Sequence, residues 1–247
     1  VESARFSDLT KAWTTADGGS PKRNFADVHA IAAMIGRFDV VAVQEVRGNL
    51  RALRYLLKVL GEEWAFILTD VSAGSSGNDE RLAFLFDTGR VKPSGLACEL
   101  VPEVTSAVLN HQFARTPYAV SFLGSGQTFT LVTLHVNYGT KPADRAPELT
   151  AIAKWLAGWA EQEFGWDHNL IALGDFNIDR AGDPLFDAFT STGLTPAPPL
   201  ASLPRTIFDN TATPHFYDQI AWFTQGQKNR PALTLVGVCV FVAHRRS

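Results

Sequence analysis

The sequence predicts an α/β chain: two mostly antiparallel or mixed sheets packed face to face with helices outside, a four-layer α/β/β/α sandwich in a single domain over residues 1–247. Three observations predict it. Short apolar or β-branched runs alternate with helical repeats along most of the chain. Two such runs flank Gly124-Ser125-Gly126 as a hairpin, so the sheets are not purely parallel. The 247 residues, 46% hydrophobic and 19% charged, have a globular balance and suffice for one substantial core.

The elements follow in order. The first twenty-odd residues are polar and irregular, ending in G-G-S-P-K-R. From the candidate N-cap Asn24, residues Phe25, Val28, Ile31, Ala32 and Ile35 recur at helical spacing and predict a helix to about Arg37. The run Val40-Val41-Ala42-Val43 reads as a strand that stops at Gln44-Glu45. Leu50, Leu53, Leu57 and Leu60 mark a second helix closed by Gly61, and Trp64 to Leu68 a second strand. A Gly/Ser-rich loop spans Val71 to Asp79. Strands are then expected at Arg81 to Phe86, Leu96 to Val101, Tyr118 to Leu123 and Thr128 to Asn137. A long helix over Arg145 to Phe164 turns Leu149, Ile152, Trp155, Leu156 and Trp159 inward. The apolar run Leu170 to Leu173 makes a buried strand that ends at Gly174. A short helix near Leu185 to Phe189 follows, then a Pro-rich connector from Pro196 to Pro204. Strands over Tyr217 to Phe223 and Leu233 to Val242 complete the chain.

A net charge of -3 and a pI near 6.1 argue against a broadly basic nucleic-acid coat. They leave room for a nuclease, because a local site with metal ions can hold phosphate without a basic surface. Cys98 and Cys239 lie in apolar surroundings and read as buried thiols rather than a metal site, with one disulfide as the alternative. No apolar segment has the length needed to span a membrane. The chain opens at Val1 with no leader pattern, so any targeting segment is expected to have been removed or never present, and the compartment stays open.

Polar residues gather at the ends of these strands. After Gly174 come Asp175, Asn177 and Asp179 at alternate positions; if the extended geometry persists, all three point to one side and Phe176 and Ile178 to the other. Glu45 ends one strand with Arg47 two residues on, His135 ends another, and Glu80 and Asp218 stand just before two more. Read singly, each has a simpler explanation: a surface carboxylate, a satisfied core histidine, an ordinary edge charge.

Together they form an ordered set. V-A-V-Q-E-V-R, N-D-E-R-L-A-F-L-F-D, F-A-R-T-P-Y-A-V, T-L-H-V-N-Y-G, L-G-D-F-N and F-Y-D-Q-I follow one another from Val40 to Ile220, about three quarters of the chain. This set resembles the endonuclease/exonuclease/phosphatase superfamily, its deoxyribonuclease I-like branch in particular. The resemblance implies a metal-dependent phosphodiesterase, foremost a DNA nuclease, working by in-line attack of an activated water. It implies Glu45 as the ligand of a catalytic Mg²⁺, with Mn²⁺ as a substitute. Asp175 would orient or deprotonate the water, and Asn177 would donate to a phosphate oxygen. His135 would flank the scissile phosphate, with Glu80 fixing its tautomer through a hydrogen bond. Arg115 and Arg47 would contact phosphate or substrate. Asp218 matches the acid that orients a second histidine.

Two departures accompany the resemblance. The family's opening strand with its W-N motif and its closing S-D-H motif are both missing from this sequence. His244 and His215 are weak substitutes for the second histidine. The expectation is therefore a single domain short of both family termini and nearly inactive on DNA as it stands. Two alternatives remain: a phosphoesterase acting on a phospholipid or small phosphoester, and a non-catalytic binding module on a degraded nuclease scaffold. Oligomeric state is left open.

Overall fold

The computed structural model describes residues 24–72, 79–101, 113–162, 169–180, 182–198 and 215–223. These residues fall into two compact units, the first ending at Lys92 and the second beginning at Pro93.

The first unit is a three-stranded antiparallel sheet with two helices. Helix α1, Phe25–Ile35, starts at Asn24, whose side chain accepts from the Asp27 N–H while the Asp27 carboxylate accepts from the Asn24 N–H. This reciprocal cap satisfies two N–H groups that a helix start leaves unmet. Strand β1, Val40–Val46, leads to α2, Arg51–Leu60, then β2, Trp64–Leu68, and β3, Arg81–Asp87. The spatial order is β1-β3-β2. Val28, Ala32 and Ile35 of α1 and Leu53 and Leu56 of α2 pack with Val46, Ala83 and Leu85 of the sheet.

The second unit holds a six-stranded sheet ordered β4-β5-β6-β7-β9-β8. Its strands are β4 Val91–Glu99, β5 Tyr118–Gly124, β6 Gln127–His135, β7 Leu170–Asp175, β8 Leu194–Pro196 and β9 Asp218–Phe223. Ser125 and Gly126, both at positive φ, make the two-residue turn joining β5 to β6, as the hairpin reading requires. β6 and β7 run parallel, so a crossover must join them; helix α3, Ala146–Glu161, lies in it. A shorter helix α4, Pro184–Thr190, follows β7. Leu149, Ile152, Ala153, Leu156 and Ala160 of α3 and Leu185 and Phe189 of α4 share a core with Val132, Leu134, Leu170 and Ala172 of the sheet.

The fold class is α/β with two sheets and helices, as expected. Several boundaries differ. β4 begins at Val91 and runs through Pro93 and Gly95 instead of starting at Leu96, and an unexpected short strand β8 ends at Pro196, where the expected connector begins. α3 starts after a 3-10 turn, Pro142–Asp144, and its Trp155 and Trp159 sit part-buried at the core margin while Ala153 and Ala160 fill the interior. The strand expected over Leu233 to Val242, together with His244 and Cys239, lies outside the described residues, and Cys98 is only partly buried.

Candidate active site

Gly174 shows how the local sequence builds the site. Its φ is +139, and a Cβ there would collide with the Leu134 carbonyl oxygen of the neighbouring parallel strand. Only glycine lets β7 approach β6 this closely at the residue before Asp175.

The register then sets the chemistry. His135 pairs with Asp175 across β6–β7, and Asp175 pairs with Asp218 across β7–β9. Side chains directly opposite in a ladder share a face, so three separate stretches deliver one row of polar groups at one end of the sheet. All three are nearly fully buried. His135 Nε2 stands 3.8 Å from Asp175 Oδ2, beyond hydrogen-bond length but within reach of its charge.

Past Asp175 the extended geometry does not persist, contrary to the sequence expectation. Asn177 takes φ +52, a left-handed conformation that Asn tolerates. Its N–H donates to Asp175 Oδ1 at 2.9 Å, and its side-chain amide donates to the Val136 carbonyl at 2.6 Å. Burial does not alternate either, since Asp175 through Ile178 are all buried. Phe176 and Ile178 are fully buried, Phe176 against Phe189 with ring centroids 4.5 Å apart. Each such side chain contributes about 1.5–3 kcal/mol, which anchors the loop from below.

Two residues outside the sequence reading hold this loop. Arg145, just before α3, is buried, and its guanidinium donates to the Tyr138 carbonyl at 2.6 Å, the Asn177 carbonyl at 2.7 Å and Asp179 Oδ2 at 3.1 Å. Glu148, one turn into α3, accepts from the Asn137 N–H at 3.1 Å. Burial pushes its carboxyl up to about 7, although that bond and the nearby charges of Arg115 and His135 pull the other way. Arg115 is itself buried. Arg145 and Glu148 sit three apart in D-R-A-P-E, which reads as an ordinary charged helix start.

The first unit gathers its own polar group. Glu45, at φ +59, sits where the β1–β3 register shifts between Val43 and Val46, a bulge that re-aims a side chain out of strand alternation. Arg47 lies 3.4 Å from Glu80 Oε1, and Glu80 is almost wholly buried. Arg81 donates to the Arg47 carbonyl at 3.2 Å, so these residues share one end of the three-stranded sheet. Glu80 thus belongs to the first unit and His135 to the second.

No family model matches the chain. A deoxyribonuclease of Thioalkalivibrio sp. (strain K90mix) is 32% identical over 160 residues, covering 62% of this chain and 42% of that protein. Deoxyribonuclease-1 of Canis lupus familiaris is 30% identical over 156 residues, 60% of this chain and 51% of the relative. The chain thus spans about half the length of the curated relatives it matches. Among solved structures, an endonuclease/exonuclease/phosphatase family protein from Leptotrichia buccalis C-1013-b superposes with TM-score 0.55 at 17% identity, covering 80% of this chain and 81% of that one. The human Nocturnin catalytic domain superposes with TM-score 0.57 at 17% identity over 80% and 74%. At such identities these structures speak for the fold alone. Sequence relatives and fold together support the resemblance to the endonuclease/exonuclease/phosphatase superfamily. Within it, these sequence relatives are deoxyribonucleases.

Proposed function

We propose that this chain carries the phosphodiester-hydrolysing residues of a divalent-metal-dependent nuclease acting on DNA by in-line attack of water. The row of His135, Asp175 and Asp218, with Asn177 locked beside it, carries the reading. The deoxyribonuclease names of the sequence relatives support DNA as the substrate.

In this reading Asp175, one oxygen of which is fixed by the Asn177 N–H, orients or deprotonates the attacking water. Asn177 spends one amide hydrogen on the Val136 carbonyl; that fixes the amide plane, and its second N–H donates to a phosphate oxygen. His135 exchanges a proton with a phosphate or leaving-group oxygen. Asp218 orients a second proton-transfer group. Arg115 and Arg47 bind phosphate oxygens, for which a guanidinium offers a two-pronged donor.

The residues fit a hard cation. Glu45 is a carboxylate held in a strained backbone conformation at a bulge, which persists only where the surroundings over-determine it. Among the described residues no three His, Cys, Asp or Glu side chains gather as a metal cage. Mg²⁺ needs none, because it keeps several waters and takes one or two carboxylates. Glu45 would hold the ion. When bound, Mg²⁺, or Mn²⁺ in its place, supplies positive charge against the negative charge that develops on the phosphate.

Supercoiled plasmid and linear duplex, incubated with Mg²⁺ and separately with EDTA, test the reading. Hydrolysis should need the metal, and His135→Ala should lower the rate by about 10²- to 10⁴-fold. Glu45→Gln should abolish Mg²⁺ binding by titration calorimetry while leaving the fold intact. Unchanged metal affinity in that variant, or hydrolysis that survives EDTA, would sink the assignment.

A further inference from the structure

Beside the catalytic loop stands an aromatic side chain that the proposed chemistry does not use. Tyr138 is 54% exposed, one of three large hydrophobic side chains so placed among the described residues. The Arg145 guanidinium lies over its ring at 4.2 Å from the centroid, and the Tyr217 ring meets it edge-on, 6.1 Å between centroids. His215 in turn stacks on Tyr217 at 4.7 Å with 18° between planes.

The ring is also held firmly. The preceding N–H, of Asn137, donates to Glu148, and the Tyr138 carbonyl accepts from Arg145. Two residues on, the Thr140 N–H and hydroxyl and the Lys141 N–H all donate to Asp144 Oδ2. A large exposed aromatic on so fully tied a loop costs little entropy when something stacks on it. Its distance from the chemistry is set too, because the same guanidinium that backs the ring donates to the Asn177 carbonyl.

We propose that Tyr138 is a stacking platform for a nucleobase flanking the scissile phosphodiester. This deepens the nuclease reading and rests on it. The surroundings choose a base over a second phosphate or a lipid chain. Arg145 already serves two carbonyls and Asp179, so its charge is spoken for, and the Asp179 carboxylate, 3.8 Å from His215 Nδ1, repels an anion. A lipid chain would gain nothing from that polar rim. A neutral planar ring with polar edges suits it, and a cation behind the platform strengthens the stack.

The test compares two single strands of equal length and charge: an oligothymidylate and the same phosphodiester backbone with abasic sites throughout. Binding is read by fluorescence anisotropy in EDTA, and hydrolysis with Mg²⁺. Stacking worth about 1–3 kcal/mol per base corresponds to a preference for the base-bearing strand of roughly tenfold or more. Tyr138→Leu, which keeps an apolar cover over Arg145, should lose most of that preference, and Tyr138→Phe should keep it. Thermal melts of both variants report on folding. Equal losses on both strands, or an undiminished preference in Tyr138→Leu, overturn the platform and leave the nuclease reading standing. Hydrolysis of either strand that survives EDTA overturns the nuclease reading, while the preference in EDTA still decides the platform.

Discussion

Near pH 7 the Glu148 carboxyl gives up a proton that an unfolded chain releases near 4.5. Between those values the folded protein holds a proton the unfolded chain has lost, so stability falls as pH rises from about 4.5 through 7 and stays lowered above. The full penalty is on the order of 3 kcal/mol. Glu148→Gln keeps an oxygen for the Asn137 N–H and removes the charge. It should raise the Tm at pH 8 and leave it nearly unchanged at pH 4.5. Melts showing the same shift at both values would reject buried charge as the cause. Neither Glu148 nor Arg145 stands out in the sequence, because their partners are the loop at 137–138 and, for Arg145, the loop at 177–179. A motif such as G-D-F-N is legible because its chemistry sits in its own residues; a residue that serves another loop is not.

At the scale of elements, the β6–β7 approach depends on a single missing side chain. Gly174→Ala places a Cβ against backbone, which cannot move aside as a flexible side chain can. We expect a loss well above the roughly 1 kcal/mol centre of single substitutions, read by urea denaturation, together with lost activity. A Gly174→Ala variant as stable as the parent would show that β7 can shift without harm. Most elements were legible from periodicity, and helix α1 down to its cap at Asn24. β4 was read short because Pro93 and Gly95 look like breakers. It is an edge strand, though, and an edge has room for a proline that lacks an N–H. The three-residue β8 is too short for any period to show. The left-handed turn at Asn177 was hidden because D-F-N-I-D alternates polar and apolar residues as a strand does, although Asp175 through Ile178 are all buried.

For the molecule as a whole, the charge of -3 limits how DNA would be held under the proposed nuclease reading. With Arg47 and Arg115 as the phosphate contacts, log Kobs should fall against log salt with a slope of about −2. A slope of −6 or steeper, measured by anisotropy in EDTA, would reveal a broad basic surface that the composition does not suggest. The ordered motifs made the resemblance to the superfamily readable in advance. The order of strands in each sheet was not, since pairing between distant stretches leaves no local trace.

That pairing bears on when the molecule could first act. His135, Asp175 and Asp218 come from segments about forty residues apart, and they share a face only once β6, β7 and β9 lie side by side in register. A slip of one residue at either ladder turns a whole strand over and carries its functional group to the opposite face. Long-range and parallel pairings are slow to form, because loop closure must precede the contacts that reward it. Under the proposed nuclease reading, the row of polar groups that would do the chemistry is then among the last features a refolding chain assembles.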